Sequence, residues 1–301
     1  MAFITHTFAG GALNRASDKR PDADWLAAKL LEPGARVLAL WNGAPLLQDG
    51  AIAWLDGGFA RRLAARDENL LFLGLDGEDA VFALDLEGPA DPVEGPLLGR
   101  GAFGELRGAA AGMALSDTGL LSTARSLFEW RRRHRHCSVC GHISEAVDGG
   151  WKRVCPNCHG QHFPRVDPCV IMLPVIGDKC LVGRQAAWVA GRFSALAGFV
   201  EPGESIEEAC AREVKEEAGL TVVAVRYHSS QPWPYPSNLM LGMIAEVSDE
   251  NAQPDLNELE AVMWLSRAEA RDLVDGKLAG VSGAPPTAIA HHLIRGWAYG
   301  G

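Results

Sequence analysis

The sequence predicts an α/β (α+β) protein built in three parts. Short apolar runs alternate with helical patterns in residues 1–129, which read as one α/β domain. Residues 130–162 turn abruptly to cysteine, histidine and glycine. Residues 163–301 return to strand-like runs on either side of a glutamate-rich helix. A chain of 301 residues has room for two domains and a substantial core.

In the first part, "DADWLAAKLL" has the spacing of a helix, and "RVLAL", "LLFLGL" and "DAVFAL" are strand-length runs between glycine and acidic turns. "DLEGPADPVEG" reads as a loop. A longer helix is expected from Asp117 to Arg133, burying Leu120, Leu121, Ala124, Leu127 and Phe128. Beyond residue 163, "CVIMLPV", "KCLVG" and "FSALAGFV" precede the glutamate helix, and "LTVVAVRYH", "LMLGMIAEV" and "AVMWL" follow it as strands. Ser266 and Glu269 form the capping box of a helix ending near Gly276, and a last helix is expected from Pro286 to Tyr299.

Composition narrows the class. Hydrophobic content of 48% and charged content of 22% are those of an ordinary globular protein. A formal charge of −10 disfavours non-specific nucleic-acid binding by the whole surface, though not by a local basic patch. "MAFITHTFAGG" lacks a basic region followed by a long apolar core, so it makes a poor signal peptide. No apolar run approaches the roughly 20 residues of a membrane helix. A cytoplasmic protein with no membrane partner is the expectation.

Seven cysteines are too few and too unevenly placed for a disulfide scaffold. Four of them, Cys137, Cys140, Cys155 and Cys158, form two C-x2-C knuckles. Four thiolates satisfy tetrahedral Zn2+ and leave no open position, so one structural zinc per chain is expected. The competing reading is a redox or disulfide pair, which a cytosolic setting disfavours. His142 and His159 read as bystanders, and Cys169, Cys180 and Cys210 as buried small hydrophobes. "RRRHRH", before the first knuckle, is either a phosphate contact or a solvated helix end. The acidic chain favours the second.

The glutamate helix runs from a Ser205–Glu208 capping box to a Gly219 cap. At about 100° per residue, Ile206, Ala209, Cys210 and Val214 share one arc. Glu213 and Glu217 land on that same arc, with Glu216 on its shoulder. Inward carboxylates are costly unless a cation joins them, and oxygen ligands at this spacing can share a hard metal. The bland alternative is a solvated charged face, which the arc geometry argues against.

Gly198, Glu204 and "REVKEEAGL" together fill G-x5-E-x7-R-E-U-x-E-E-x-G-U, where U is apolar. This resembles the Nudix box. "SQPWPYPSNLM", "FPRVDPCVIML" and "PPTAIAHHLI", with the four-cysteine ribbon, resemble the NADH pyrophosphatase (NudC-type) branch of the Nudix hydrolases. Tyr235 stands where that branch has Phe, and Asn238 where it has Ser. The resemblance implies an α/β/α sandwich with a mixed sheet, a homodimer, and hydrolysis of the pyrophosphate of NADH or NAD+ to nicotinamide mononucleotide and AMP.

It further implies Glu213, Glu216 and Glu217 as catalytic residues that bind Mg2+ or Mn2+ with Glu258 and the Ala197 carbonyl. Gly198, Glu204, Arg212 and Gly219 support the box, Arg212 and Glu204 as an ion pair. Arg107, Phe163, Ala290 and the segment Gln231, Pro232, Trp233, Pro234, Tyr235, Pro236, Ser237 and Asn238 would contact substrate.

The chemistry of the residues agrees with this. A pyrophosphate is an anion that carboxylates alone would repel, so metals must come between them. Trp233 and Tyr235, two apart in an extended chain, would face the same way and suit a flat ring. The alternatives are a hydrophobic lid at these two residues, NAD-capped RNA or another nucleoside-diphosphate-X as substrate, and a non-catalytic zinc-ribbon nucleic-acid binder. The complete glutamate set argues against the last.

Overall fold

The computed structural model describes residues 4–300 and divides the chain into two compact units. One comprises Thr7–Val166 with Trp233–Ser237; the other comprises Met1–His6, Asp167–Pro232 and Asn238–Gly301. The cysteine-rich segment thus shares a unit with the N-terminal residues. Among the described residues no helix is long and apolar enough to cross a membrane.

In the N-terminal unit, α1 (Ala23–Leu30) starts at Asp22, whose side chain accepts from the Trp25 N–H. Strands β1 (Arg36–Trp41), β2 (Ala44–Gln48), β3 (Ala51–Ile52) and β4 (Leu55–Asp56) lead to α2 (Gly57–Leu63). Next come β5 (Leu70–Asp76), β6 (Asp79–Leu86), β7 (Ala102–Phe103), α3 (Leu106–Ala109) and the long α4 (Leu115–Arg133). The sheet order is β3-β2-β1-β6-β5, with β1 and β6 parallel. Alternation along β1 fills both faces: Leu38 and Leu40 pack with Leu121, Ala124 and Leu127 of α4, while Val37 and Ala39 pack with Leu30 and Ala60 of α1 and α2.

Three short strands, β8 (Glu145–Val147), β9 (Lys152–Val154) and β10 (Gln161–His162), make the antiparallel ribbon carrying the cysteines. The loop expected at residues 85–95 is partly regular, because β6 continues to Leu86 and Pro92–Glu94 form a 3-10 turn.

The other unit has β11 (Asp167–Ile176), β12 (Lys179–Arg184), β13 (Leu196–Phe199), α5 (Ile206–Ala218), β14 (Val222–Trp233), β15 (Asn238–Val247), β16 (Ala261–Ser266), α6 (Arg267–Val274) and α7 (Ile289–Tyr299). Its sheet order is β14-β15-β11-β12-β16, and β13 pairs antiparallel with β11. The sheet is mixed, since β11 and β15 run parallel while β11 and β12 run antiparallel. Ile171, Leu173 and Val175 pack toward α6 and α7; Val170 and Met172 pack toward α5. This is an α/β/α sandwich, and the alternation along β11 is what gives it two cores.

Several expected limits shift: α4 begins at Leu115 rather than Asp117, and β14 runs on to Trp233. The strand in "FSALAGFV" is confined to Leu196–Phe199. The last helix begins at Ile289 rather than Pro286, because residues 286–288 form a turn in which Ala288 N–H bonds to the Pro285 carbonyl.

Candidate active site

Local signals place α5. Ser205 Oγ accepts from the Glu208 N–H at 3.2 Å, the Glu208 carboxylate accepts from the Ser205 N–H at 2.8 Å, and Gly219 closes the helix at φ 72°. Ala209, Cys210, Val214 and Ala218 bury against the sheet. Glu213 and Glu217 are buried too, at 9% and 5% exposure, whereas Glu216 is exposed. Gly198 on β13 makes the room: a β-carbon there would stand 1.9 Å from the Glu213 carboxyl carbon.

Arg212 binds the loop to this helix. Its Nε and Nη2 donate to the two Glu204 oxygens at 2.7 and 2.9 Å, and Nη2 also donates to the Phe199 carbonyl at 2.8 Å. Nη1 donates to Glu213 at 2.8 Å and Glu216 at 3.1 Å. The fork holds Glu204 well below the usual carboxylate range, at about 2.

Burial, then the charges of Glu213 and Glu258, push Glu217 up to about 8. Glu213 is raised as well, chiefly by burial and against the pull of Arg212. Glu217 Oε2 is buried without a hydrogen-bond partner. A cluster of hard oxygen donors that repel one another, with one orphaned oxygen, fits a divalent cation. Glu213 and Glu217 are its buried donors, whereas Glu216 and Glu258 are exposed and Glu216 is held by Arg212.

In the ribbon, the Cys137, Cys140, Cys155 and Cys158 sulfurs all lie within 4.8 Å of one another. The Cys137–Cys158 and Cys140–Cys155 separations are 3.5 and 3.4 Å, near the roughly 3.8 Å edge of a tetrahedron with Zn–S of about 2.3 Å. The Val139 N–H donates to Cys137 Sγ and the Asn157 amide to Cys140 Sγ, which favours thiolates. Neither His142 nor His159 belongs to this ligand group. Cys169, Cys180 and Cys210 are buried, and burial pushes their thiols up to about 12.

Comparison with known proteins places these features together. Residues 166–281 match the NUDIX domain, 34–130 the NADH pyrophosphatase-like rudimentary NUDIX domain, and 132–163 the NADH pyrophosphatase zinc ribbon domain. NAD-capped RNA hydrolase NUDT12 of Pongo abelii is 35% identical, over 96% of this chain and 72% of that protein. The chain belongs to the Nudix hydrolase family. Its three matched domains place it in the NADH pyrophosphatase branch. NAD(P)H pyrophosphatase NUDT13, mitochondrial, of Mus musculus is 36% identical over 84% of this chain and 78% of that protein. NAD-capped RNA hydrolase NudC of Mycobacterium bovis is 35% identical over 92% of this chain and 88% of that protein.

This Nudix hydrolase departs from the sequence expectation in its aromatic segment. Trp233 and Tyr235 do not lie along one extended strand: the Tyr235 N–H bonds back to the Trp233 carbonyl at 2.8 Å, so the chain turns between them. Their rings tilt at 59° to each other and both meet the Phe8 ring edge-on, packed against the N-terminal core. The Arg107 guanidinium lies over both, 5.3 Å from Trp233 and 4.4 Å from Tyr235. Arg125 donates to the Pro234 carbonyl at 2.9 Å. Pro232 and Pro236 are half-buried, Pro234 and Ser237 are buried, and Phe163 is exposed.

Gln231 and Ala290 are buried in the Nudix unit. Gln231 Nε2 donates to the Thr287 carbonyl and its Oε1 accepts from the Ile289 N–H, both at 2.8 Å. It therefore caps α7 across 58 residues of chain, which spacing alone does not reveal. Asn238 Oδ1 is buried without a partner. Sequence reasoning also missed a histidine cluster: Ser229 Oγ lies 2.7 Å from both His6 Nε2 and His228 Nδ1, and the His6 ring is 4.6 Å from that of His292. These residues are far apart along the chain, and no local motif links them.

Proposed function

We propose that the protein hydrolyses the pyrophosphate bond of NADH and NAD+, yielding nicotinamide mononucleotide and AMP. The observation that carries this reading is the inward Glu213–Glu217 pair with its orphaned Glu217 oxygen. Glu213, Glu216, Glu217 and Glu258, with the Ala197 carbonyl, would hold Mg2+ or Mn2+, which when bound neutralises the pyrophosphate and polarises its phosphoryl oxygens. Arg212 orients Glu213 and Glu216 and anchors the loop through Glu204. The buried carboxylates, once ionised, would take a proton from attacking water.

The names of the relatives support dinucleotide chemistry, and the orphaned Asn238 oxygen supports a polar ligand near that residue. Assignment of Gln231–Asn238, Arg107, Phe163 and Ala290 to substrate, a homodimer and a cytoplasmic setting rest on the family resemblance.

Two of the relatives named above are NAD-capped RNA hydrolases, which favours a second reading: the same cleavage at an NAD cap. A panel of NADH, NAD+, NAD-capped RNA and ADP-ribose, assayed with Mg2+ and Mn2+ and resolved for AMP, separates these readings. Cleavage of NADH with AMP as product is expected. Failure on all four substrates would refute the proposal.

A further inference from the structure

A cavity of about 340 Å3 lies entirely within the N-terminal unit. Five arginines, Arg66, Arg131, Arg132, Arg135 and Arg153, line its wall. Only three carboxylates, Glu68, Asp85 and Glu87, share that wall. Two of the arginines are built into the fold. Arg153, 2% exposed, donates from Nε to Ser144 Oγ at 2.9 Å and from Nη2 to the Ser144 carbonyl. Arg131, 6% exposed, donates to the Leu70 carbonyl at 3.3 Å and lies 5.4 Å from the centre of the Phe128 ring.

The internal acids do not balance this charge. Glu87 is held by Arg66 at 2.5 Å, and Glu68 stands 3.3 Å from Arg66 and 3.7 Å from Arg153. Arg132 is paired with Glu129, whereas Arg135 has no ion pair among the described residues. Asp85 is pushed up to about 6, mainly by burial, so its ionised form is itself costly here. Burial pushes Arg131 down to about 10, the mark of a charge held without full compensation. A guanidinium keeps its proton and offers five donors, so five arginines against three carboxylates leave a shortfall of negative charge on this wall.

We propose that this cavity binds a phosphate group, carried either by a small free anion or by a polynucleotide backbone. A tetrahedral oxyanion offers acceptors in several directions and can engage more than one of the guanidiniums that line the cavity, whereas a carboxylate presents a single fork. The volume is at the small end of ligand pockets and suits a phosphate with an attached sugar. The solvated helix end expected of "RRRHRH" therefore describes Arg133, which is exposed and paired with Glu129, but not Arg131. The site goes beyond the hydrolytic reading, because none of its lining residues belongs to the unit that holds α5.

The test is binding by the zinc-loaded full chain, at low salt and without added catalytic metal. The probes are inorganic phosphate and a hexauridylate with a 5′-hydroxyl. Both should bind wild type, and Arg135→Gln should weaken binding by about tenfold, the scale of one charge-assisted hydrogen bond. Arg131→Gln should weaken it further; should that variant not fold, Arg132→Gln with Arg135→Gln takes its place. Hexauridylate binding more than about tenfold tighter than phosphate, with the same arginine dependence, identifies a polynucleotide source. Equal or weaker hexauridylate binding identifies a small anion. The proposal is overturned if neither probe binds wild type, or if wild type and variants bind alike.

Discussion

Gly198 and Glu213 occupy one space: a β-carbon on the glycine would stand 1.9 Å from the glutamate's carboxyl carbon. Strand β13 and helix α5 can approach this closely only because residue 198 has no side chain. Gly198→Ala must therefore push the carboxylate or the strand aside. A displacement of about 1 Å in a catalytic group costs on the order of a hundredfold in rate, and that loss in kcat is expected with the circular-dichroism spectrum unchanged. A variant with wild-type kcat would show that the seat of Glu213 is irrelevant to turnover.

Gln231→Ala tests the tie between β14 and α7. It would leave the Thr287 carbonyl and the Ile289 N–H without their partner, each at a cost of about 1–3 kcal/mol where no water replaces it. Urea denaturation should show a lower midpoint at an unchanged slope. An unchanged midpoint with a raised KM would instead assign Gln231 to substrate alone.

Cys155 is fully buried among the ribbon sulfurs. Cys155→Ser removes one of four thiolates, so zinc content and thermal midpoint should fall together. Full zinc occupancy with an unchanged midpoint would contradict a structural ribbon metal.

His6 gives the fold an acid-sensitive point. Burial, then His292 and His228, pushes its pKa down from 6.5 to about 4. Between those values the unfolded chain binds more protons than the folded one. The contribution of His6 is therefore complete above pH 6.5 and is lost as pH falls toward 4. Stability measured across this window should decline less steeply in His6→Gln than in wild type. Identical slopes would show that His6 does not titrate as described.

Helix α5 was legible in the sequence because its signals are local: Ser205 and Glu208 cap it, Gly219 ends it, and its apolar arc sets the direction of Glu213 and Glu217. The ribbon cysteines were legible for the same reason, since each knuckle spans four residues. Contacts made by long-range packing were not. Nothing local marks Gln231 as the cap of α7, and Gly198 beside Glu213 depends on how β13 meets α5. Strands β3 and β4 contain only two residues each, too short for periodicity, and exist through pairing with β2 and β1. The Trp233–Tyr235 turn is not legible locally, because alternating prolines are equally compatible with an extended chain.

In the proposed function, Glu217 is buried because it serves a metal. Glu217→Gln keeps the shape and removes the charge, so it should fold normally. Steady-state hydrolysis of NADH by this variant, titrated with Mg2+ and with Mn2+, is the most direct measurement. Weaker metal activation is expected, with turnover lowered by orders of magnitude even at saturating metal. Near wild-type turnover at saturating metal, with product identity unchanged, would contradict it.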